Sequence, residues 1–333
     1  MDGKGPIFVA GLDRSGTSLI YAILSSHPNI SMVRRTNMWR YFYRRFGDLG
    51  QKENFERCLN SMLRYKRLVR LKPDEERLRR EFWQGEPTYG RLFALFHEHT
   101  AERREKPRWG DKSLHTERYT DQVFAEYPNA KIIHMVRDPR DRYASALKRY
   151  SKNRGKAGAA TARWLVSVIM AKRNMKRYPK NYRIMRYESL VLHPEESLHE
   201  LCEFIEEEYT VDMLTMVGAP DHRDKGGNSS FGKFEPGVIS SSPIGRYKKV
   251  LSIQDIAFIQ PFAGRHMKEL GYQLEPIRFS FREWSLRDML EWSANFILML
   301  AWTMVELFRE KSGYTLPARR LINHSIAKEA PSA

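Results

Sequence analysis

The stretch Val9-Ala-Gly-Leu-Asp-Arg-Ser-Gly-Thr-Ser-Leu19 constrains the fold more than any other part of this 333-residue chain. A short apolar run, Ile7 to Ala10, enters a turn carrying Gly11 and Gly16, and Ser18 to Leu24 continues with apolar residues at helical spacing. Strand, glycine turn and helix in that order build a phosphate cradle, in which backbone N–H groups and the helix N-terminus point at an anion. A loop that grips a nucleoside triphosphate places a lysine before its Ser or Thr. Here Thr17 stands in that place, and the cation is Arg14, inside the loop.

The rest of the chain extends the same pattern. Ala130 to Val136 is an apolar run bounded by Pro128-Asn129 and Asp138-Pro139, as expected of a strand buried on both faces of a parallel sheet. Pro139 suits the first turn of the next helix. Ile30 to Val33 and Tyr182 to Arg186 read as further strands, and 161–178, 194–206 and 253–270 as helices. Strands separated by helices predict an α/β fold: a three-layer, doubly wound sheet with central parallel strands. An Arg-rich helical insertion is expected over about 38–105 within a domain spanning 1–275, followed by a helical extension over 276–333. Residues 221–242, rich in Gly, Ser, Asp and Lys, predict a long loop that orders on ligand binding.

The excess of 57 Lys and Arg over 40 Asp and Glu, a net charge of +17, calls for an anionic partner. No zinc-finger, RNP-like or basic heptad pattern accompanies the charge runs at 64–70 and 148–156, which argues against nucleic acid. Cys58 and Cys202 form no CxxC or Cys/His pattern, and the N-terminus lacks a basic region followed by an apolar one. A reducing, cytoplasmic compartment is expected. Trp292 to Val305 passes 14 residues without a charge, short of the roughly 20 a membrane span needs. The helix over 286–308 is therefore expected to serve the core or a homodimer, the alternative being a helix lying on a membrane surface with Arg309, Lys311, Arg319 and Arg320 beyond it.

A second motif, Arg137-Asp-Pro-Arg-Asp-Arg-Tyr-Ala-Ser145, follows the 130–136 strand. Arg137 at the strand's carboxyl end and Ser145 one and a half turns into the next helix face the same edge of the sheet, where both can hold one phosphate. No acidic residue immediately ends that strand to hold Mg²⁺, Arg137 standing there instead, so the site fits transfer of a group less highly charged than a γ-phosphoryl. A third, weaker segment is Gly245-Arg-Tyr-Lys248.

With these three segments the chain resembles the sulfotransferases that use 3′-phosphoadenosine 5′-phosphosulfate. The resemblance covers roughly Pro6 to Tyr272, and Tyr187-Glu-Ser-Leu190 and Leu198 to Phe204 resemble the bacterial and tyrosylprotein-like branch. It implies that Asp13, Arg14, Ser15, Gly16, Thr17 and Ser18 surround the 5′-phosphosulfate, that Arg137 and Ser145 hold the 3′-phosphate, and that Gly245, Arg246, Tyr247 and Lys248 close over the donor. It implies metal-free transfer of a sulfuryl group to a hydroxyl or amine of a carbohydrate, glycolipid or small metabolite, with release of adenosine 3′,5′-bisphosphate. Lys112 matches a catalytic lysine, and Arg14 would assist it. Relatives place a glutamate base after the His-Pro turn, but Met32 to Asn37 holds no carboxylate, so Asp111 and His115 both stay open as the base. Arg34, Arg35 and Arg40 either bind an anionic group on the acceptor or form a solvated helix face. A small-metabolite kinase and a non-enzymatic basic protein remain the competing readings.

Overall fold

The structure, a computed structural model, describes residues 3–149, 156–219, 237–277 and 285–312. Its five strands are β1 (Ile7–Ala10), β2 (Ile30–Arg34), β3 (Arg108–Lys112), β4 (Lys131–Val136) and β5 (Tyr182–Arg186). They form one parallel sheet in the order β2-β3-β1-β4-β5. All four residues of β1 are buried, because β1 is the middle strand with β3 on one side and β4 on the other. The chain leaves β1 toward one edge of the sheet and leaves β4 toward the other. The carboxyl ends of β1 and β4 therefore flank the point where strand order reverses, where ligands enter doubly wound sheets.

Each face of the sheet carries a layer of helices. Phe8, Ala10 and Ile132 pack with Trp39, Phe55, Phe82 and Phe93 from the helical segment between Met38 and Glu102. That segment shares its apolar cluster with the sheet, so the insertion is part of the same core. On the opposite face Val9, Ile133 and Met135 meet Ile20 and Ile23 of the helix Thr17–Ser26 and Leu198 and Leu201 of the helix Pro194–Ile205. A third cluster joins Trp164 and Val168 of the helix Ala157–Arg177 to Phe258 and Ile259 of the helix Ile253–Glu269 and to Met299 of the C-terminal helix Leu286–Ser312. Cys58 and Cys202 are free buried thiols in separate clusters.

Apolar patterning predicts no strand at 108–112, yet β3 is there and fully buried. It escapes the pattern because three of its five residues are charged. The Arg108 guanidinium donates to the carbonyls of Gly5 and Ile205 and pairs with Glu207 at 3.0 Å. Gly110 lets the strand pass close to its neighbours, since a Cβ there would sit 2.4 Å from Met32 Sδ and 2.6 Å from the Ile7 carbonyl oxygen. Most of the loop expected over 221–242, the centre of the basic run at 148–156, and Arg319 and Arg320 lie outside the described residues. Among the described residues, no helix is long and apolar enough to cross a membrane.

Candidate active site

The loop after β1 has the backbone of an anion cradle. Gly11, Arg14 and Gly16 hold φ of 111°, 70° and 92°, in the left-handed region. A Cβ on Gly11 would lie 2.4 Å from the Met135 carbonyl oxygen, and one on Gly16 would lie 2.6 Å from the Tyr187 ring. Gly11→Ala is therefore expected to destabilise the fold by about 1–3 kcal/mol, measured by urea denaturation, because backbone and not a pliable side chain blocks it. The helix Thr17–Ser26 begins at Gly16 with no side-chain cap and no acidic residue in its first turn. Its N-terminal amides are left for an anion.

The two motifs meet in space. Arg14 Nε donates to Ser145 Oγ at 2.9 Å across 131 residues of sequence. The Arg137 guanidinium lies 4.5 Å over the Tyr187 ring and donates to the carbonyls of Pro243, at 2.7 Å, and Arg14, at 3.4 Å. Its Nε is buried without a hydrogen-bond partner. An unsatisfied buried guanidinium nitrogen between the two loops fits a phosphate oxygen.

The rest of the second motif is scaffold. Arg140 forks onto Asp138 at 2.6 and 3.0 Å, reaches Gln260 at 2.7 Å and lies 4.3 Å over the Tyr247 ring. Asp141 accepts from the amides of Gly245 at 2.7 Å and Tyr247 at 2.9 Å, fixing the third segment to the second. Arg142 pairs with Asp13 at 3.2 Å. Burial alone would raise the Asp13 pKa, but Arg142, Arg163 and Arg14 outweigh it and hold the carboxylate below its usual range. Asp13 thus fastens the loop to the helix Pro139–Arg149. Ser15 and Thr17 are buried in the loop, and Ser18 is half-buried.

Within the third segment the side chains turn different ways. Gly245 has φ 71° with open space where a Cβ would be. Arg246 bonds to Ser242, and burial beside Arg137 lowers its pKa. Tyr247 donates to Glu275 at 2.5 Å, and Lys248 pairs with the same carboxylate at 2.9 Å. The last two thus support the segment in this conformation.

Lys112 ends β3 beside Val9, next to the cradle. Its side chain is 4% exposed, and burial with Arg35 and Arg34 nearby lowers its pKa to about 8. Asp111, the preceding residue, accepts from Thr36 Oγ1 at 2.5 Å and Ser113 Oγ at 3.0 Å, and burial raises its pKa. His115, with φ 70°, points Nδ1 at Glu117, 3.8 Å away. Burial, then Arg118, Arg40 and Arg163, hold its imidazole neutral.

Two carboxylates that motif reading left without a role belong to the site. Glu117 is buried and accepts from the Gly11 amide at 3.3 Å, so one side chain touches both the cradle and the His115 turn. Glu188 accepts from the Asp138 amide at 2.9 Å and from Tyr272 at 3.0 Å, seating the start of the second motif. Its neighbour Tyr187 forms the floor under Gly16 and Arg137. The signal in the sequence was Tyr187-Glu188 directly after a strand, at the sheet's ligand edge.

Comparison with known proteins agrees with this geometry. The model of the Sulfotransferase family matches residues 6–211. An uncharacterized protein of Aquifex aeolicus (strain VF5) is 31% identical over 222 residues, covering 61% of this chain and 26% of that protein. Protein-tyrosine sulfotransferase A of Caenorhabditis elegans is 25% identical over 206 residues, covering 60% of this chain and 49% of that protein. The chain thus spans a quarter to a half of the length of these relatives. Two solved structures share the fold at 18% identity: the sulfotransferase domain of the curacin biosynthetic pathway (TM-score 0.55, 82% of this chain and 99% of that one) and that of the Synechococcus PCC 7002 olefin synthase (TM-score 0.56, 83% and 98%). With more than half of its residues matched, and with the matched part carrying the cradle, Lys112 and the Arg137–Ser145 motif, the chain belongs to the sulfotransferase family.

Proposed function

We propose that the chain moves a sulfuryl group from 3′-phosphoadenosine 5′-phosphosulfate to a hydroxyl or amine of a carbohydrate, glycolipid or small metabolite. The observation that carries this reading is the Arg14–Ser145 bond, which brings the two anion-binding motifs to one place. The chain's own groups fit such a donor: uncapped amides at Gly16 to Ser18, the unsatisfied Arg137 Nε, and two glycines that let the loop seat against Met135 and Tyr187 in its left-handed turns.

The bond between sulfur and the bridging oxygen breaks as the acceptor oxygen or nitrogen bonds to sulfur. Lys112 and Arg14 stabilise the charge that develops on the bridging and sulfuryl oxygens. His115 takes the acceptor proton, with the Glu117 carboxylate 3.8 Å from its Nδ1. His115 is preferred to Asp111 because Asp111 is already engaged by two hydroxyls. Arg34 and Arg35 beside Lys112, and Arg40 beside His115, suit an acceptor that carries an anionic group near the reacting atom.

Calorimetry with adenosine 3′,5′-bisphosphate in EDTA tests the reading: micromolar binding is expected, and its absence in the wild type sinks it. The pH profile gives a second test. Lys112 must be protonated to act, so kcat/KM should fall above pH 8, the limb of the free enzyme. The bound anionic donor favours the ammonium form, so the matching limb in kcat should lie at higher pH.

A further inference from the structure

Nearly half of the large hydrophobic side chains exposed among the described residues lie on one element, the helix Leu286–Ser312. Leu290, Ile297, Leu300 and Met304, each 51–68% exposed, recur at intervals of seven, three and four and form one outward stripe. The opposite face is fixed. Met299 is buried, Asn295 Oδ1 accepts from the Gly158 amide at 3.0 Å, and a Cβ on Gly158 would fall 1.9 Å from the Asn295 carbonyl oxygen. Glu306, 2% exposed, accepts from Arg118 and Arg309 and pairs with Arg163 at 3.6 Å. The helix cannot roll to hide its stripe without breaking this cluster.

Area and charge decide what covers the stripe. At about 1.5 Å per residue the helix is roughly 40 Å long. A contact about 10 Å wide along it buries roughly 400 Å² on each copy, half of what a stable dimer uses. The charge-free run from Trp292 to Val305 is about 21 Å long, too short to cross a bilayer core of about 30 Å but suited to lying in its surface. Glu291 and Glu306 flank that run directly and are paired with Arg287 and Arg309, so the basic charge left for a surface is that of Lys311, Arg319 and Arg320, which follow in sequence, and of a chain that carries +17. We propose that this face docks the protein on an anionic lipid surface, with the helix flat in the interface. Arg118, held by Glu306, is three residues past His115, so docking would bring the proposed acceptor side of the site to the bilayer.

Co-sedimentation of the full chain with vesicles tests this. On vesicles of equal parts phosphatidylcholine and phosphatidylserine the wild type should partition at least about tenfold more strongly than on phosphatidylcholine alone, and rising salt should weaken it. The triple substitution Ile297→Asn, Leu300→Asn, Met304→Asn should cut partition at least about tenfold while leaving adenosine 3′,5′-bisphosphate binding unchanged. Met304→Asp alone, at a 68% exposed position, should act in the same direction if the triple variant folds poorly. No wild-type binding, or equal binding by the variants, overturns the proposal. So does a lipid-free dimer in sedimentation equilibrium that the triple variant dissolves, since a second copy would then be the occupant.

Discussion

Arg137→Ala is expected to weaken binding of adenosine 3′,5′-bisphosphate by roughly 10²-fold, the scale set by truncating one member of a buried, charged contact. The guanidinium is 6% exposed, is held in place by the Tyr187 ring and the Pro243 carbonyl, and keeps one nitrogen unsatisfied. Preorganised charge of this kind meets a phosphate without paying to order a side chain. Calorimetry on Arg137→Ala and on Arg265→Ala, whose side chain is 86% exposed, separates a site effect from a change in net charge. A loss below about threefold in Arg137→Ala, well under the value of one charged hydrogen bond, would make Arg137 a prop for the segment around Pro243 and remove it from the phosphate site.

Lys112→Met should lower kcat by about 10²–10³-fold, the usual loss when one donor to a developing anion is removed. Binding of the bisphosphate should persist, because the cradle and Arg137 are untouched. The same substitution should raise stability at pH 7. Folding takes the lysine pKa from 10.5 down to about 8, so the folded state disfavours the ammonium. That penalty is fully present below pH 8 and fades as pH rises toward 10.5. Removing the charge with a chain of similar volume should therefore recover up to about 3 kcal/mol at pH 7, and almost nothing at pH 10.5. Urea denaturation at the two pH values measures this. A variant equally active would deny Lys112 its catalytic assignment, and one destabilised at both pH values would deny that the fold penalises its charge.

Much of this arrangement is legible in sequence because parallel strands buried on both faces must be apolar, and loops that hold anions must spend glycines. β1, β4, the helix after each and the Arg137–Ser145 spacing all obey those rules, and Tyr182 to Arg186 forms β5 at its expected bounds. β3 was hidden because it carries charges at buried positions, where partners distant in sequence receive them: Glu207 pairs with Arg108, and the Thr36 hydroxyl donates to Asp111. Glu117 was hidden for a related reason: its role depends on Gly11, more than a hundred residues away, and no local spacing announces that contact. Motif reading finds groups that act through a local turn. It does not find groups that act by holding one turn against another.

The third apolar cluster also says where this protein can be cut. Trp164 and Val168, inside the stretch that matches the family model, are covered by Tyr247, Phe258, Ile259 and Met267, all beyond residue 211. A fragment trimmed to the matched region would expose that surface and lose the Gly245 and Tyr247 amides that Asp141 now satisfies. The stretch that sequence comparison outlines is smaller than the packed unit, whose third apolar cluster runs on to Met299 in the C-terminal helix.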